Sequence, residues 1–481
     1  MLMWISILFP MAAGVAVSLL KIQEDRLRYW LYAGVMVLTD LLGILMMVFG
    51  KPATILSFSD TVSMAFAPDN FGRLVLIVVL IIYTAVLFYT FEYMKMEERR
   101  PAFFAFFFVS LGAMMAVCMA SNLVTLYLCF ELATLSTVPL VLHEMSKDAI
   151  AAGMKYLFYS IAGALLGLFA IFFVYQYSGN PEGFVLGGSI DLEKLSGKEP
   201  LFLAAVFAGI IGFGTKAGMY PMHGWLPTAH PIAPAPASAL LSGIIAKAGI
   251  IAIIRLVYYS VGAELLAGTW VQYAWMILAM LTVFMGSMMA FREKITKKRL
   301  AYSTVSQISY IMLGLSFLSM DGLRGGLLHL MSHAVSKGCL FLVAGIFIYK
   351  LGKRNVTELK GIGKWMPVTM WCFMIASLSL VGIPPMGGFL SKWVIAGASL
   401  SNGLGLLSYL PPIILLISAL LTAGYLFPVA IDAFFPGEEF KDEITEKKEP
   451  TLLMTVPLIV LCFCALIVGV FGLQILSAFG F

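Results

Sequence analysis

Apolar residues follow one another along this chain in uninterrupted blocks of about 20, the length that crosses the hydrocarbon core of a bilayer. They do not recur at every third or fourth position, as on a half-buried helix, or alternate, as on a strand. The first block is Trp4–Leu20 and the last Leu453–Phe471, with short polar connections between neighbours. The blocks number about 14, which predicts an all-α polytopic membrane protein. The largest polar insertions, Pro181–Pro200 and Pro436–Pro450, are too short to fold alone, so residues 1–481 read as a single membrane domain. The first block has no basic residue before it and KIQEDRLR after it, which reads as a retained helix rather than a cleaved signal peptide.

Composition agrees. The chain is 61% hydrophobic and 12% charged, with a mean hydropathy of +0.96, whereas water-soluble domains carry about 25% charged residues. Lipid is its solvent. The net charge of +5 needs no nucleic acid to explain it, because Lys and Arg gather in alternate connections: Lys21, Arg26 and Arg28; Lys95, Arg99 and Arg100; Lys147; Arg292 through Arg299; Lys350 through Lys364; and Lys441, Lys447 and Lys448. Membrane proteins keep such loops in the cytoplasm. That orientation puts both termini outside the cell's inner (plasma) membrane. All six cysteines lie in apolar runs with no CxxC pair, so they read as packing residues, and neither a metal nor a cofactor is expected.

Two places break the helical pattern at membrane depth: Pro221, Pro227, Pro231, Pro234 and Pro236, and later Pro384–Pro385 with Gly387–Gly388. Irregular backbone inside a bilayer is tolerated only where protein or a water-filled cavity surrounds it, and paired breaks in two halves of a chain point to inverted repeats with a site between them.

Ionisable residues stand inside the apolar blocks: Glu131, Lys216, Lys247 and, shortly after the second break, Lys392. Each costs about 2.5–3.5 kcal/mol at the bilayer centre, on the order of 10 kcal/mol together, so pairing or hydration must offset it. Snorkelling to the headgroups would suit Lys392, whose span end is uncertain, but not Lys247, with long apolar flanks. A lone carboxylate would simply protonate, so Glu131 needs a cationic partner, and Lys216 matches it in type and depth. On a further block, His329, His333 and Lys337 fall at i, i+4 and i+8, one face of a helix over roughly 12 Å. With water between, such a ladder can pass protons, and histidine both gives and takes them near neutral pH. His223 and His230, inside the first break, read as solvated loop histidines.

The stretch KAGMYPMHGWLPTAHPIAPAPASALLSGIIAKAGIIAIIR, from Lys216 to Arg255, resembles the signature of the antiporter-like subunits shared by respiratory complex I, Mrp-type Na+/H+ antiporters and membrane-bound hydrogenases. FELATLSTVPL around Glu131, KKRLAYSTVSQISYIMLG, HLMSHAVSKGCLFL around Lys337 and GIPPMGGFLSKW around Lys392 resemble that family too. The resemblance implies about 14 helices with two inverted five-helix repeats, each containing a broken helix. It divides the chain into N-terminal helices (1–100), a first repeat (101–262), a second repeat (268–436) and a C-terminal helix (450–481). It also implies roles: Glu131 and Lys216 as an ion pair, Lys247 as central carrier, His329, His333 and Lys337 as connecting relay, and Lys392 as terminal carrier. The middle complex I subunit typically has glutamate where this chain has Lys392, which favours an Mrp D-like or hydrogenase-type subunit.

The expected function is translocation of H+ or Na+ within a multi-subunit membrane complex, an antiporter or an ion-translocating oxidoreductase of the NADH dehydrogenase or hydrogenase type. Its partners would be other membrane subunits, homologous antiporter-like ones among them, and the lipid bilayer. No redox centre is expected in this chain, since no GxGxxG follows a strand and no cysteine framework exists. A stand-alone secondary transporter for a small solute is the competing reading, because it too uses broken helices and midplane charges.

Overall fold

A computed structural model describes residues 1–20, 22–59, 62–437 and 448–481. Lys21, Lys441 and Lys447, counted above among the basic connections, lie outside the described residues. Short turns in the connections aside, the chain runs through α1 (Leu2–Leu19) and α2 (Asp25–Phe49), then a hairpin of β1 (Ala53–Ser59) and β2 (Val62–Phe66). Next come α3 (Asn70–Tyr93), α4 (Arg100–Met119), α5 (Leu123–Val141) and α6 (Lys147–Tyr177). They are followed by α7 (Glu199–Ala217), α8 (Leu226–Ile232), α9 (Ala235–Leu240), a π turn (Leu241–Ile245), α10 (Lys247–Ile254) and a second π segment (Arg255–Val261). The remainder is α11 (Trp270–Arg292), α12 (Thr296–Ser316), α13 (Met320–Leu351), α14 (Pro367–Val381), α15 (Gly387–Leu400), α16 (Leu410–Phe434) and α17 (Leu452–Ala478). Among the described residues, 12 helical segments are long and apolar enough to cross a membrane.

The architecture is the expected helical one, with, among the described residues, a single two-stranded hairpin between α2 and α3. Its strands pair antiparallel from Ala53↔Phe66 to Ser59↔Val62, and they are rich in the β-branched and aromatic residues that suit a pleated surface. They also close over neighbouring helix ends: Asn122 Nδ2 donates to Ser63 O at 3.0 Å, and Ala65 N donates to Thr125 Oγ1 at 2.9 Å.

Helix α12 is the least apolar of the long helices, yet Ser303, Thr304, Ser306, Gln307 and Ser309 are all buried. Protein rather than lipid surrounds it: α12 packs on α11 and α13. Helix α13 is the axis of the second half, buried without a gap from Gly325 to Phe347 and packed against α3, α9, α12, α14, α15 and α17. Gly345 permits this crowding, since a Cβ there would collide with Ala235 Cβ and Tyr89 Oη.

Both proline clusters interrupt helices. Helix α7 ends at Gly218, in the left-handed region with φ 82°, and helix resumes at Leu226. Helix α14 ends at Gly382, φ 93°, and helix resumes at Gly387. Each interruption frees carbonyls of the last turn at the depth where a candidate lysine sits.

Candidate functional site

Lys216 lies in the last turn of α7, buried. Its amine donates to Thr134 Oγ1 at 2.8 Å and to Tyr156 Oη at 2.6 Å, and stands 4.5 Å from the Tyr156 ring centroid. Tyr156 Oη also shares a hydrogen bond of 2.8 Å with Thr137 Oγ1. The direct contacts of the Lys216 amine are thus hydroxyls. Among the described residues no carboxylate oxygen lies within 4.0 Å of Lys216 Nζ. Glu131 and Thr134 share α5, but Glu131 sits half-buried among the exposed Leu128, Leu132 and Leu135, whereas Thr134 faces inward. The two charges remain close enough to act on each other electrostatically, and hydroxyls make the contact.

Lys247, 1% exposed, begins α10 directly behind the π turn. There Ala246 N–H reaches back to Leu241 O at 2.9 Å instead of Ser242 O. The widened turn leaves the Ser242 carbonyl for the Lys247 amine, 2.9 Å away. Single π turns of this kind recur at functional sites. The same amine meets His333 Nδ1 at 2.9 Å, which joins α10 to α13.

On α13 the ladder is present and enclosed: His329, His333 and Lys337 are all buried. Lys337 Nζ donates to Leu300 O at 3.0 Å, and that carbonyl also accepts from Thr304 Oγ1 at 2.9 Å. Thr304 in turn shares a 2.7 Å hydrogen bond with Ser242 Oγ, so two hydroxyls and the carbonyls of Leu300 and Ser242 connect Lys337 with Lys247. The His329 and His333 ring centroids are 6.1 Å apart. The Nε2 atoms of both rings and both amide atoms of Gln307 are buried without a protein partner.

Toward the second break, His329 Nδ1 hydrogen-bonds Ser391 Oγ at 2.8 Å, beside Lys392 on α15. The Lys392 amine donates to the carbonyls of Leu380 and Val381, at 2.6 and 2.8 Å, which the end of α14 leaves free. Tyr310 sits between, its ring 5.2 Å from that of His329 and 4.9 Å from Lys392 Nζ. Lys392 turns inward to backbone carbonyls, which answers the snorkelling reading.

The structure thus brings Lys247, His333, His329 and Lys337 into one buried polar file that ends at the partly buried Lys392, and leaves Lys216 with its hydroxyls as a separate group. Thr134, Tyr156, Ser242, Thr304, Gln307, Tyr310 and Ser391 complete it and were not singled out from sequence. None of the four lysines has a carboxylate within 4.0 Å among the described residues. A cation balanced by dipoles alone can lose its proton without leaving a bare buried carboxylate, which suits groups that change charge. Two expectations fail in detail. His230 is fully buried on α8, not a solvated loop residue, and Lys297, counted with the basic connections, is buried at the start of α12.

The family model described as NADH:quinone oxidoreductase/Mrp antiporter, TM, matches residues 120–422. The chain is 32% identical over 406 residues to NADH-quinone oxidoreductase subunit N of Desulforudis audaxviator, an alignment covering 82% of this chain and 79% of that protein. It is 34% identical over 342 residues to hydrogenase-4 component B of Escherichia coli, covering 68% of this chain and 49% of that protein, so it spans about half the length of that relative. Its fold is similar to a chain of the membrane-bound sulfane sulfur reductase, an archaeal respiratory membrane complex, with TM-score 0.84 and 21% identity over 99% of this chain and 97% of that one.

Proposed function

The chain belongs to the NADH:quinone oxidoreductase/Mrp antiporter family of membrane proteins, and from that premise we propose that it is a subunit that translocates protons, or Na+, within a multi-subunit membrane complex. The observation that carries this reading is the contact of 2.9 Å between Lys247 Nζ and His333 Nδ1, buried and without an acidic partner. Two titratable groups in direct contact can exchange a proton, and the file extends from there in both directions.

The route runs from Lys216 to Lys247 and His333, where Lys337 joins it from one turn farther along α13, continues through His329 and leaves by Lys392. Glu131, half-buried on the outer face of α5, acts on Lys216 through its field. Counting the 12 apolar segments, α12, and the broken pair α14 and α15 as one crossing brings the chain to fourteen crossings. The same reading divides the chain into the units 1–100, 101–262, 268–436 and 450–481. The basic connections support a plasma-membrane orientation with both termini outside. Neighbouring membrane subunits, homologous ones included, would cover its exposed apolar helix faces, and any electron chemistry would belong to them.

The test uses vesicles containing the native complex and a pH-sensitive dye. Wild type should acidify or alkalinise the lumen when driven, and Lys247→Ala should not, with the complex still assembled. Replacing Na+ with choline distinguishes the two ions. Wild-type rates from Lys247→Ala would overturn the proposal.

A further inference from the structure

Asp40 is the one charged residue of α2 between Arg28 and Lys51. It stands nine residues from Phe49, the nearer end of that helix, or about 14 Å along the axis. A charged group in the interior of a bilayer is rare and marks a function by default. Asp40 Oδ2 accepts from Thr84 Oγ1 of α3 at 2.9 Å, while its Oδ1 is buried without a protein partner. No cation lies within 4.0 Å of it among the described residues. The neighbouring helices offer none at this depth: α3 carries no charged residue between Arg73 and Glu92, and α17 none from Leu452 to Ala478.

Asp40 and Thr84 line a groove of about 880 Å³ between α2, α3 and α17. Helices α2 and α17 both pack on α3, and the groove is the space between them. Its floor is one face of α3, where Ile77, Leu80, Ile81, Thr84 and Phe88 recur at helical spacing over about 16 Å. Ile44 from α2 and Leu453, Val456 and Val460 from α17 form its sides, and their exposure means that it opens sideways to lipid. Apart from Asp40 and Thr84, every lining side chain is apolar. Ligand sites have this make-up: clefts of about 300–1,000 Å³ with apolar walls and a few polar groups that fix orientation.

The apolar walls match an aliphatic chain, and the carboxylate selects the head. The terminal torsion of an aspartate is soft, so a small turn brings Oδ1 to the groove. An ammonium carries three donors and no acceptor, and beside Asp40 it leaves no net charge at that depth. In a medium of low dielectric that attraction is strong, and an uncharged head gains nothing comparable. Phospholipid headgroups lie beyond the helix ends, so bilayer lipid can fill the groove but cannot pair with the carboxylate.

We propose that this groove is a binding site for single-chain amphipathic amines, with the ammonium on Asp40 and the aliphatic chain along α3. Such binding needs no ion movement, so its test stands apart from that of translocation.

The experiment measures radiolabelled dodecylamine bound to the native complex in lipid nanodiscs, with empty discs subtracted. Wild type should bind it saturably. Asp40→Asn, which can keep the hydrogen bond with Thr84, should weaken that binding by about tenfold or more, the scale of a hydrogen bond to a charged group. Dodecanol, equal in chain and uncharged, should compete about tenfold less well than unlabelled dodecylamine, and it tests the role of charge even if Asp40→Asn fails to assemble. Val456→Trp, at an exposed position in the groove, should remove binding, whereas Leu420→Trp, exposed on α16, should leave it unchanged. Saturable binding that Val456→Trp removes, but that Asp40→Asn leaves intact and dodecanol displaces equally well, would mean that the groove takes an uncharged chain. No saturable binding to the complex would mean that bilayer lipid or a helix of a neighbouring subunit fills it. Either result overturns the proposal, as does binding that Val456→Trp leaves unchanged.

Discussion

Lys247 on α10 and His333 on α13 face each other with Nζ and Nδ1 2.9 Å apart, and the lysine is turned there by a carbonyl that a π turn leaves free. The helix irregularity and the contact are one feature, because a regular turn would spend Ser242 O on Ala246 N–H. Two outcomes are expected from it. Lys247→Ala should reduce translocation to background while insertion and assembly persist, since no neighbouring side chain can replace its charge. His333→Gln, which can hold the hydrogen bond but cannot pass a proton on, should cost about a hundredfold in rate. Dye-monitored transport in vesicles, beside native gels for assembly, checks both, and normal transport by either variant removes that residue from the route.

Lys216 should depend on Tyr156 more than on Glu131. Its amine touches the tyrosine hydroxyl at 2.6 Å and no carboxylate. Deleting one partner of a buried hydrogen bond to a charged group costs about 1–3 kcal/mol, so Tyr156→Phe should lower the melting temperature of the complex measurably. Glu131→Gln, on a half-buried site without an ion pair, should stay within about 0.5 kcal/mol of wild type. A double-mutant cycle should give the larger coupling energy to Lys216 with Tyr156, and the reverse order would restore the ion pair.

The spans were legible because lipid requires apolar runs of a set length, and the buried lysines because charged residues are rare in those runs. The ladder on α13 was legible from the spacing of His329, His333 and Lys337 alone, since helix period fixes which residues share a face. Angular position was not. Nothing local says that Thr134 faces inward and Glu131 sideways, which is why type and depth pointed to the two charges and not to the hydroxyls that touch Lys216. The polarity of α12 has a related reason: Ser303, Thr304 and Gln307 are buried against protein, so the polarity that would disqualify a lipid-facing span is what equips this one. His230 and Lys297 were read from loop context, and only tertiary packing encloses them.

Packing around Lys216 can be tested apart from its charge. Gly249 on α10 lets that helix approach α7: a Cβ there would come 3.0 Å from Ala217 N and 3.1 Å from Lys216 Cβ, and would collide with Phe213 O. Backbone cannot yield as a flexible side-chain end would, and overpacking of this kind costs about 1–3 kcal/mol. Gly249→Ala should lower the melting temperature and slow transport together, whereas Gly397→Ala on α15, where a new Cβ meets nothing within 4 Å, should be silent. Equal behaviour of the two would mean that the close approach of α7 and α10 is not needed.

Lys392 is where a carrier and an anchor can be told apart. Its amine is held by Leu380 O and Val381 O at 2.6 and 2.8 Å, carbonyls opened by the break between α14 and α15, and the Tyr310 ring separates it from His329. A carrier there must take a proton and give it up. Arginine preserves the positive charge and can reach the same carbonyls, but it cannot be deprotonated in a protein; glutamine preserves polarity and is never charged. If Lys392 carries the proton out of the file, Lys392→Arg and Lys392→Gln should both stop translocation, one locked charged and the other locked neutral, although the arginine variant keeps its fold. If the lysine only anchors the broken helix through Leu380 and Val381, arginine should serve nearly as well and glutamine should fail. Proton movement in vesicles made from the arginine variant decides between the two, and a near-normal rate would remove Lys392 from the route.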